Sequence, residues 1–331
     1  MKIVVTGGAG FIGSNLVEHL AGLDHEVLII DNFSTGREEN ISKVKNKIKI
    51  IEQDISIPGS WQNHLADCDR VFHIAALADI VPSIEKPKAY FDSNVSGTMN
   101  ILLPLIDNKK VKLVYTASSS CYGLAEEIPT SEIAAKSPEY PYALTKLMGE
   151  QLIHHWSKVY GVHCVSARLF NVYGLKSRTS SSYGAMFGVF LAQVLKEQPL
   201  TIVGNGLQKR DFIYVDDVVS ALCTLMTHGK KGENYNVGTG NPVTVLEIAN
   251  KLSDKHVFIP SRPGEPHITH ANIEKIKELG WRPKTDIDEG IKKLLDNIEY
   301  WDAAPVWDAK SIRKATQAWF DNLGNSYEKN T

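Results

Sequence analysis

Apolar runs rich in β-branched residues recur along the first half of the chain, at Lys2 to Thr6, Glu26 to Ile30, Ile48 to Glu52, Val71 to Ile74, Lys112 to Thr116 and His163 to Arg168. Between them lie stretches with apolar residues at helical spacing, beginning with Ser14 to Leu23. Two of these, Lys86 to Asn108 and Tyr142 to Tyr160, predict long helices. Strands alternating with helices predict an α/β fold built on a doubly wound parallel sheet. Ligands in such folds sit beyond the carboxyl ends of the strands.

From Asn171 onward the rhythm changes. Residues 175–183 are polar and serine-rich, the composition of a loop that orders over a ligand. Met186 to Glu197 predicts a helix, Gly204 to Gly206 a turn, Asp211 to Val215 a strand and Asp216 to Thr227 a helix. A short strand at Tyr235 to Val237 runs into Gly238-Thr-Gly-Asn-Pro242, and helices follow near Val245 to Leu252, Ile273 to Leu279 and Asp288 to Tyr300. In the tail, Trp301-Asp-Ala-Ala-Pro-Val-Trp307 leads into Ala309 to Leu323, where Ile312, Ala315, Trp319 and Leu323 lie on one helical stripe. Such a stripe packs on its own subunit or builds an interface.

The strand ends carry the first chemistry. Lys2 to Thr6 empties into Gly7-Gly8-Ala9-Gly10-Phe11-Ile12-Gly13, a helix follows, and the next strand ends on Asp31. Strand, glycine turn, helix, strand and acid form a dinucleotide-binding unit of the Rossmann type. A side chain at Gly7 or Gly10 would block the turn or hold the backbone off a pyrophosphate, and Gly13 lets the helix pack closely. The helix start then meets the phosphate charge. Asp31 would accept from the adenosine ribose hydroxyls and repel a 2′-phosphate, favouring NAD over NADP.

Composition narrows the class. At 331 residues the chain is long enough for two modest domains, or one with an elaborated second lobe. Its 36 basic and 38 acidic side chains nearly balance, with no nucleic-acid footprint. Lysine runs at Lys43 to Lys49 and Lys109 to Lys112 read as solvated faces. Cys68, Cys121, Cys164 and Cys223 are widely spaced, form no metal-ligand pair, and read as reduced thiols. Without a signal-peptide pattern or a membrane-spanning apolar run, the expected location is cytoplasmic.

Tyr142 and Lys146 stand four apart at the start of a predicted helix, on one face, and Ser118 lies at a strand end upstream. With a dinucleotide nearby, this set suits hydride chemistry on an alcohol. Tyrosine ionises near pH 10, so acting as a base at neutrality needs a shift of roughly three units, about 4 kcal/mol. The expected source is the Lys146 ammonium together with a positive nicotinamide. Lys146 would also donate to the nicotinamide ribose, and Ser118 would hydrogen-bond the reacting oxygen.

With these residues in view, the chain resembles the extended short-chain dehydrogenase/reductases, in their nucleotide-sugar epimerase and dehydratase branch. The motifs are Thr6-Gly-Gly-Ala-Gly-Phe-Ile-Gly13, Asp31-Asn-Phe-Ser-Thr-Gly36, His73-Ile-Ala-Ala76, Asn94-Val-Ser-Gly-Thr98, Ser118-Ser-Ser-Cys-Tyr-Gly123, Tyr142-Ala-Leu-Thr-Lys146, Arg168-Leu-Phe-Asn-Val-Tyr-Gly174, Arg210-Asp-Phe-Ile-Tyr-Val215 and Arg262-Pro-Gly-Glu265. The resemblance implies that Phe11, Ile12, Asp31, Asn32, Phe33, Ser34, Thr35, Gly36, Asp54, Ile55, Ala75, Ala76, Asn94 and Phe170 line the NAD site. It gives Asn171, Arg210 and Arg262 the substrate pyrophosphate, which paired guanidinium hydrogen bonds suit. It divides the chain into a Rossmann domain of residues 1–170 and 211–239, a smaller discontinuous α/β nucleotide-sugar lobe of residues 171–210 and 240–300, and a helical tail of residues 301–331. It also implies a homodimer built from the helices at Lys86 to Asn108 and Tyr142 to Tyr160.

Relatives that dehydrate or decarboxylate usually carry acidic groups in the serine motif; here those positions are Ser119 and Ser120, which do not titrate. The expectation is therefore a C4 epimerase of a UDP-hexose. A 4,6-dehydratase, a glucuronate decarboxylase or epimerase, a net oxidoreductase and a catalytically silent NAD-binding regulator are the alternatives. The position that walls off the sugar's C2 substituent falls on Thr269, with His270 beside it. Threonine there leaves space for an N-acetyl group.

Overall fold

The computed structural model describes residues 1–108, 110–177 and 184–328. The strands are β1 (Lys2–Thr6), β2 (Glu26–Asp31), β3 (Ile48–Glu52), β4 (Arg70–His73), β5 (Lys112–Ser118), β6 (His163–Leu169), β7 (Asn171–Tyr173), β8 (Leu200–Val203), β9 (Lys209–Arg210), β10 (Phe212–Tyr214), β11 (Asn234–Val237), β12 (Val243–Thr244) and β13 (His256–Ile259). Seven form one parallel sheet in the order β11-β6-β5-β4-β1-β2-β3. The fold is thus the expected doubly wound α/β sheet. Among its inner strands, β1 and β5 are mostly apolar because both faces are covered. Successive residues serve opposite faces: Ile3, Val5, Val27 and Ile29 join one core, whereas Val4, Leu28 and Ile30 join the other.

The order reverses between β1 and β4, where Thr6 pairs with His73. Such a switch point opens a crevice for a ligand.

Helix Pro141–Val159 lies across the sheet and is tied to it by a buried ion pair. The Arg168 guanidinium on β6 meets the Glu150 carboxylate at 2.6 Å, with both side chains almost wholly buried. Ser166 also donates to Glu150 (2.9 Å), and Arg168 donates to the Tyr122 hydroxyl and the Glu132 carbonyl, each at 2.8 Å.

Several elements depart from the sequence pattern. The stretch at Lys86 to Asn108 is one helical path with two irregular turns, a π-helical Asp92–Ser96 and a 3₁₀ Leu103–Ile106. Pro104, which cannot donate a backbone hydrogen bond, accounts for the second. Strands β8 and β13, which pair with each other, and helix Ile80–Glu85 were not anticipated. The helix expected at Ile273 to Leu279 shrinks to Glu274–Lys277. The tail forms two helices, Ala309–Ala315 and Gln317–Glu328.

The second lobe is built from residues after Asn171. β7 pairs with β10; Tyr214 joins the core that holds Tyr173 and Phe187, Ile213 joins that of the main sheet, and helix Val215–His228 and β11 continue onto the main sheet. Trp301 is fully buried among Tyr173, Phe187 and Leu294, so the tail begins inside the lobe's own core. Residues 178–183 of the serine-rich stretch lie outside the described residues. Among the described residues no helix is long and apolar enough to cross a membrane.

Candidate active site

A cleft of about 930 Å³ runs along the carboxyl ends of the central strands and into the second lobe. At its floor β1 ends, and Gly7 turns the chain with φ +68°. The Gly7 amide donates to the Ile30 carbonyl (2.9 Å), and its carbonyl accepts from Gly10 (3.1 Å). A Cβ on Gly7 would stand 2.7 Å from the Ala75 nitrogen, and one on Gly13 only 2.0 Å from the Gly7 oxygen. Neither position accepts a side chain, so Gly13 serves contact with the loop itself. Helix Phe11–Ala21 starts at Gly10 with no side-chain cap and no acid in its first turn. Its first amides therefore face the cleft with their donors available to an anion. This cradle fits a dinucleotide pyrophosphate.

Asp31, at the end of β2, lines the cleft beside this cradle. One carboxylate oxygen accepts from the Ala9 amide and the other from Phe33, both at 2.9 Å. Burial raises its pKa despite these bonds. Each oxygen keeps a second lone pair, so Asp31 braces the loop and still offers acceptors to the cleft. At Asp54 burial pushes the pKa up, but hydrogen bonds from Ser56 and Asn32 outweigh it and hold the carboxyl below its usual range.

Across the cleft, β5 delivers Ser118, whose Oγ lies 2.8 Å from Ser120 Oγ and accepts from the Ser120 amide (3.2 Å). Pro141 opens the helix that carries Tyr142 and Lys146, a position where proline's missing donor costs nothing. Lys146 is buried, with Nζ 4.3 Å from the centre of the Tyr115 ring. Burial draws Lys146 down to about 7, opposed by the Glu150 carboxylate. The Tyr142 phenol is pushed up by burial, although a Ser118 hydrogen bond lowers it, and the Asp79 carboxylate pushes it further. The expected three-unit depression of Tyr142 by Lys146 is therefore not supplied by the protein's own groups. They supply a phenol raised by burial, with Ser118 close enough to oppose that rise, and a lysine drawn down to about 7.

At the lobe end, Arg210 donates to the Lys209 and Pro266 carbonyls and to Glu265 Oε1 (2.9 Å). Three of the five guanidinium donors are thus used, leaving two for a ligand. Arg262 lies over Trp319, 5.5 Å from the ring centre. Thr269 donates to Asn171 Oδ1 (2.9 Å) and accepts from the Asp211 amide (3.2 Å). It is a brace as well as a wall residue, which its position in the motif did not suggest. His270 turns away and pairs with the Gly240 carbonyl.

Three expected cofactor residues do not line the cleft. Phe33 packs against the core beside β1. Gly36 gives room to Asp31, whose Oδ1 would lie 2.8 Å from a Cβ there. Asn94, in the π-turn, accepts from the Leu77 amide (2.9 Å) and donates to the Leu77 carbonyl and Thr145 (3.0 Å each). Both amide hydrogens and one oxygen lone pair are taken by these partners, so it positions the cleft loop from behind.

The sequence reading passed over three residues. Asp79 lines the cleft near Tyr142. Asp211 is wholly buried and accepts from Thr239 (2.6 and 2.7 Å), Gly240 (3.0 Å) and Ala271 (2.9 Å), fixing the segments beside Arg210. An acid next to the apolar run Phe212 to Val215 was its only signal. Trp319 enters the cleft wall from the tail.

Comparison with known proteins agrees with this geometry. The profile of the NAD dependent epimerase/dehydratase family matches residues 3–238. UDP-glucuronic acid decarboxylase 1 of Arabidopsis thaliana is 33% identical over 312 residues, covering 90% of this chain and 70% of its own. UDP-glucose 4-epimerase of Mycolicibacterium smegmatis is 31% identical over 308 residues, covering 89% and 98%. The solved UDP-N-acetylglucosamine 4-epimerase from Methanobrevibacter ruminantium M1, in complex with UDP-N-acetylmuramic acid, superposes with a TM-score of 0.84 at 30% identity, covering 89% and 98%.

The Lys146 environment makes a prediction for stability. Its pKa is near 7 when folded and near 10.5 otherwise. Between those values the unfolded chain holds more protons on this residue, so its contribution to stability rises with pH; below 7 the burial penalty is fully present. In urea melts, the stability of the parent relative to Lys146→Met should therefore increase by about 3 kcal/mol between pH 7 and pH 10. A difference that does not change with pH would contradict this.

Proposed function

The chain belongs to the NAD-dependent epimerase/dehydratase family, and on that premise we propose that it interconverts the C4 epimers of a UDP-hexose through a transient 4-keto sugar. NAD, the family's cofactor, would accept and return the hydride, so the cycle is an isomerisation. The observation that carries the reading is the meeting of Ser118, Tyr142 and Lys146 in one cleft with the glycine cradle, beside serines at 119 and 120 that cannot titrate. Tyr142, whose ionisation a bound positive nicotinamide would favour, would take the C4 hydroxyl proton as the carbon is oxidised and return it on reduction. Ser118, close enough to the phenol to favour its ionised form, would hold the reacting oxygen. Lys146 keeps a proton to donate at the ribose. Buried, free thiols suit a reducing, cytoplasmic setting.

A decarboxylase or dehydratase reading draws on Asp79, a carboxylate near enough to Tyr142 to affect its ionisation. The two readings part at the products. Incubation with UDP- and dTDP-sugars should give C4 epimers of the same mass with no accumulation of absorbance at 340 nm. Tyr142→Phe should keep NAD affinity and lose at least about two orders of magnitude in turnover. Loss of water or carbon dioxide from the sugar, or near-parental turnover in that variant, would remove the proposal.

Substrates would include N-acetylated hexoses. Support comes from Thr269 in the cleft lining, a small side chain where a large aromatic would exclude a C2 substituent. Thr269→Tyr should abolish the N-acetylated reaction while sparing UDP-glucose. Because the hydroxyl also braces Asn171, Thr269→Val serves as the control for that bond. Equal loss of both reactions in the tyrosine variant, with the valine variant active, would end the size argument.

We also propose a homodimer. Phe91 and Leu103 on the path after Lys86, and Leu144 on the Tyr142 helix, are 43%, 46% and 47% exposed. An isologous pairing of these helices would cover them. Sedimentation at micromolar concentration should give twice the 36.7 kDa chain mass; a monomer alone would count against it.

A further inference from the structure

The tail does more than finish the lobe. Asp308 caps helix Ala309–Ala315 by accepting from the Ser311 amide (2.7 Å), and the helix stops at Thr316. The buried Thr316 hydroxyl bonds back to the Ile312 carbonyl (2.9 Å) instead of facing solvent. The break starts a second helix, Gln317–Glu328, which packs against helix Ile80–Glu85. That helix follows directly on the cleft residues Ala75 to Asp79. The tail thus lies against one lip of the cleft through its backbone path and reaches the opposite lip through one side chain.

That side chain is Trp319. It is only 4% exposed, yet it lines the cleft. Its indole nitrogen donates to the Pro263 carbonyl (2.8 Å), its ring lies beneath the Arg262 guanidinium, and the Tyr140 ring stands 6.1 Å away. Tyr140 in turn lies parallel to Tyr142, with centres 6.4 Å apart. One residue therefore touches the loop that presents a cation to the cleft and the aromatic next to the reacting phenol.

We propose that Trp319 is a wall of the nucleotide-sugar pocket and the positioning residue for Arg262, so that the substrate site is incomplete without the tail. This rests on the nucleotide-sugar reading above. A guanidinium held against an indole face keeps its edge donors directed sideways, where they can meet a diphosphate. The Pro263 hydrogen bond fixes the loop carrying that guanidinium. Removing the indole takes away apolar wall area and the ring face on which the guanidinium lies. The glycine cradle, which Trp319 does not touch, keeps its own contacts.

The test compares parent, Trp319→Ala and Trp319→Phe as full chains with NAD, titrated with UDP-glucose and UDP-N-acetylglucosamine. In Trp319→Ala the Kd for both sugars should rise at least tenfold while that for NAD changes less than twofold. Trp319→Phe, which keeps a ring and loses the donor, should fall between. Sugar affinity in Trp319→Ala equal to the parent's overturns the tail's role and leaves the epimerase reading standing. A parent that binds NAD but no UDP- or dTDP-sugar overturns both. Should Trp319→Ala not fold, the fluorescence difference between parent and Trp319→Phe decides: UDP-glucose should change the Trp319 emission, and no change overturns the proposal.

Discussion

The buried pair of Arg168 and Glu150 is the constraint on which the rest of the site depends. A guanidinium and a carboxylate both taken out of water are tolerated only with close geometry and full hydrogen bonding, and losing one partner typically costs about 3–5 kcal/mol. The pair joins β6 to the middle of the helix that carries Tyr142 and Lys146, and Glu150 stands one turn beyond Lys146. Gly149 lets that helix settle on the sheet, since a Cβ there would stand 2.3 Å from the Tyr115 hydroxyl. Ion pair and close contact together set the helix on β5, and β5 ends at Ser118. The distance between the reacting residues is thus fixed from behind, by groups that do not line the cleft.

The same carboxylate reaches into the proton chemistry. Burial draws the Lys146 ammonium toward neutrality, and Glu150 is the charge that resists it. Burial also raises Tyr142, which Ser118 counters. The protein's own groups thus hold Lys146 where a nearby charge can tip it, and hold Tyr142 above its ordinary range. Donor accounting separates the arginines in a similar way. Arg168 uses four of its five donors on Glu150, Tyr122 and Glu132, so it is structural. Arg210 uses three and keeps two beside the cleft.

The central sheet was legible because its strands are short, mostly apolar runs rich in β-branched residues, and the cradle because close approach forces glycine at fixed spacing. The Tyr142 and Lys146 pairing was legible because helical geometry converts a spacing of four into a shared face. Strands β8 and β13 were not, since each is a short run at a small sheet's edge and Val257 and Phe258 are exposed. Asn94 reads as a cofactor contact because its motif marks the cleft, while its hydrogen bonds to Leu77 and Thr145 depend on a π-turn that periodicity does not encode. The tail's stripe allowed either packing on the chain or an interface, and Ile312 and Trp319 are buried within the chain. Nothing in its spacing could tell that Trp319 packs toward a cleft, because a core wall and a pocket wall ask for the same side chain.

Thr269 carries this ambiguity one step further. As a wall residue it would act through size alone, and a larger side chain would simply narrow the pocket. Its hydroxyl, however, links the Asn171 amide to the Asp211 backbone, and the Asp211 carboxylate holds Thr239, Gly240 and Ala271 in place. The Asn171 backbone N–H donates back to the Asp211 carbonyl (3.0 Å). Thr269 is therefore part of the cleft lining and of the hydrogen-bonded scaffold behind it, and it orients Asn171, which lines the same cleft. Any selectivity exerted at this position would depend on volume and on hydrogen-bond geometry together, and a substitution that alters only one of them is what separates the two.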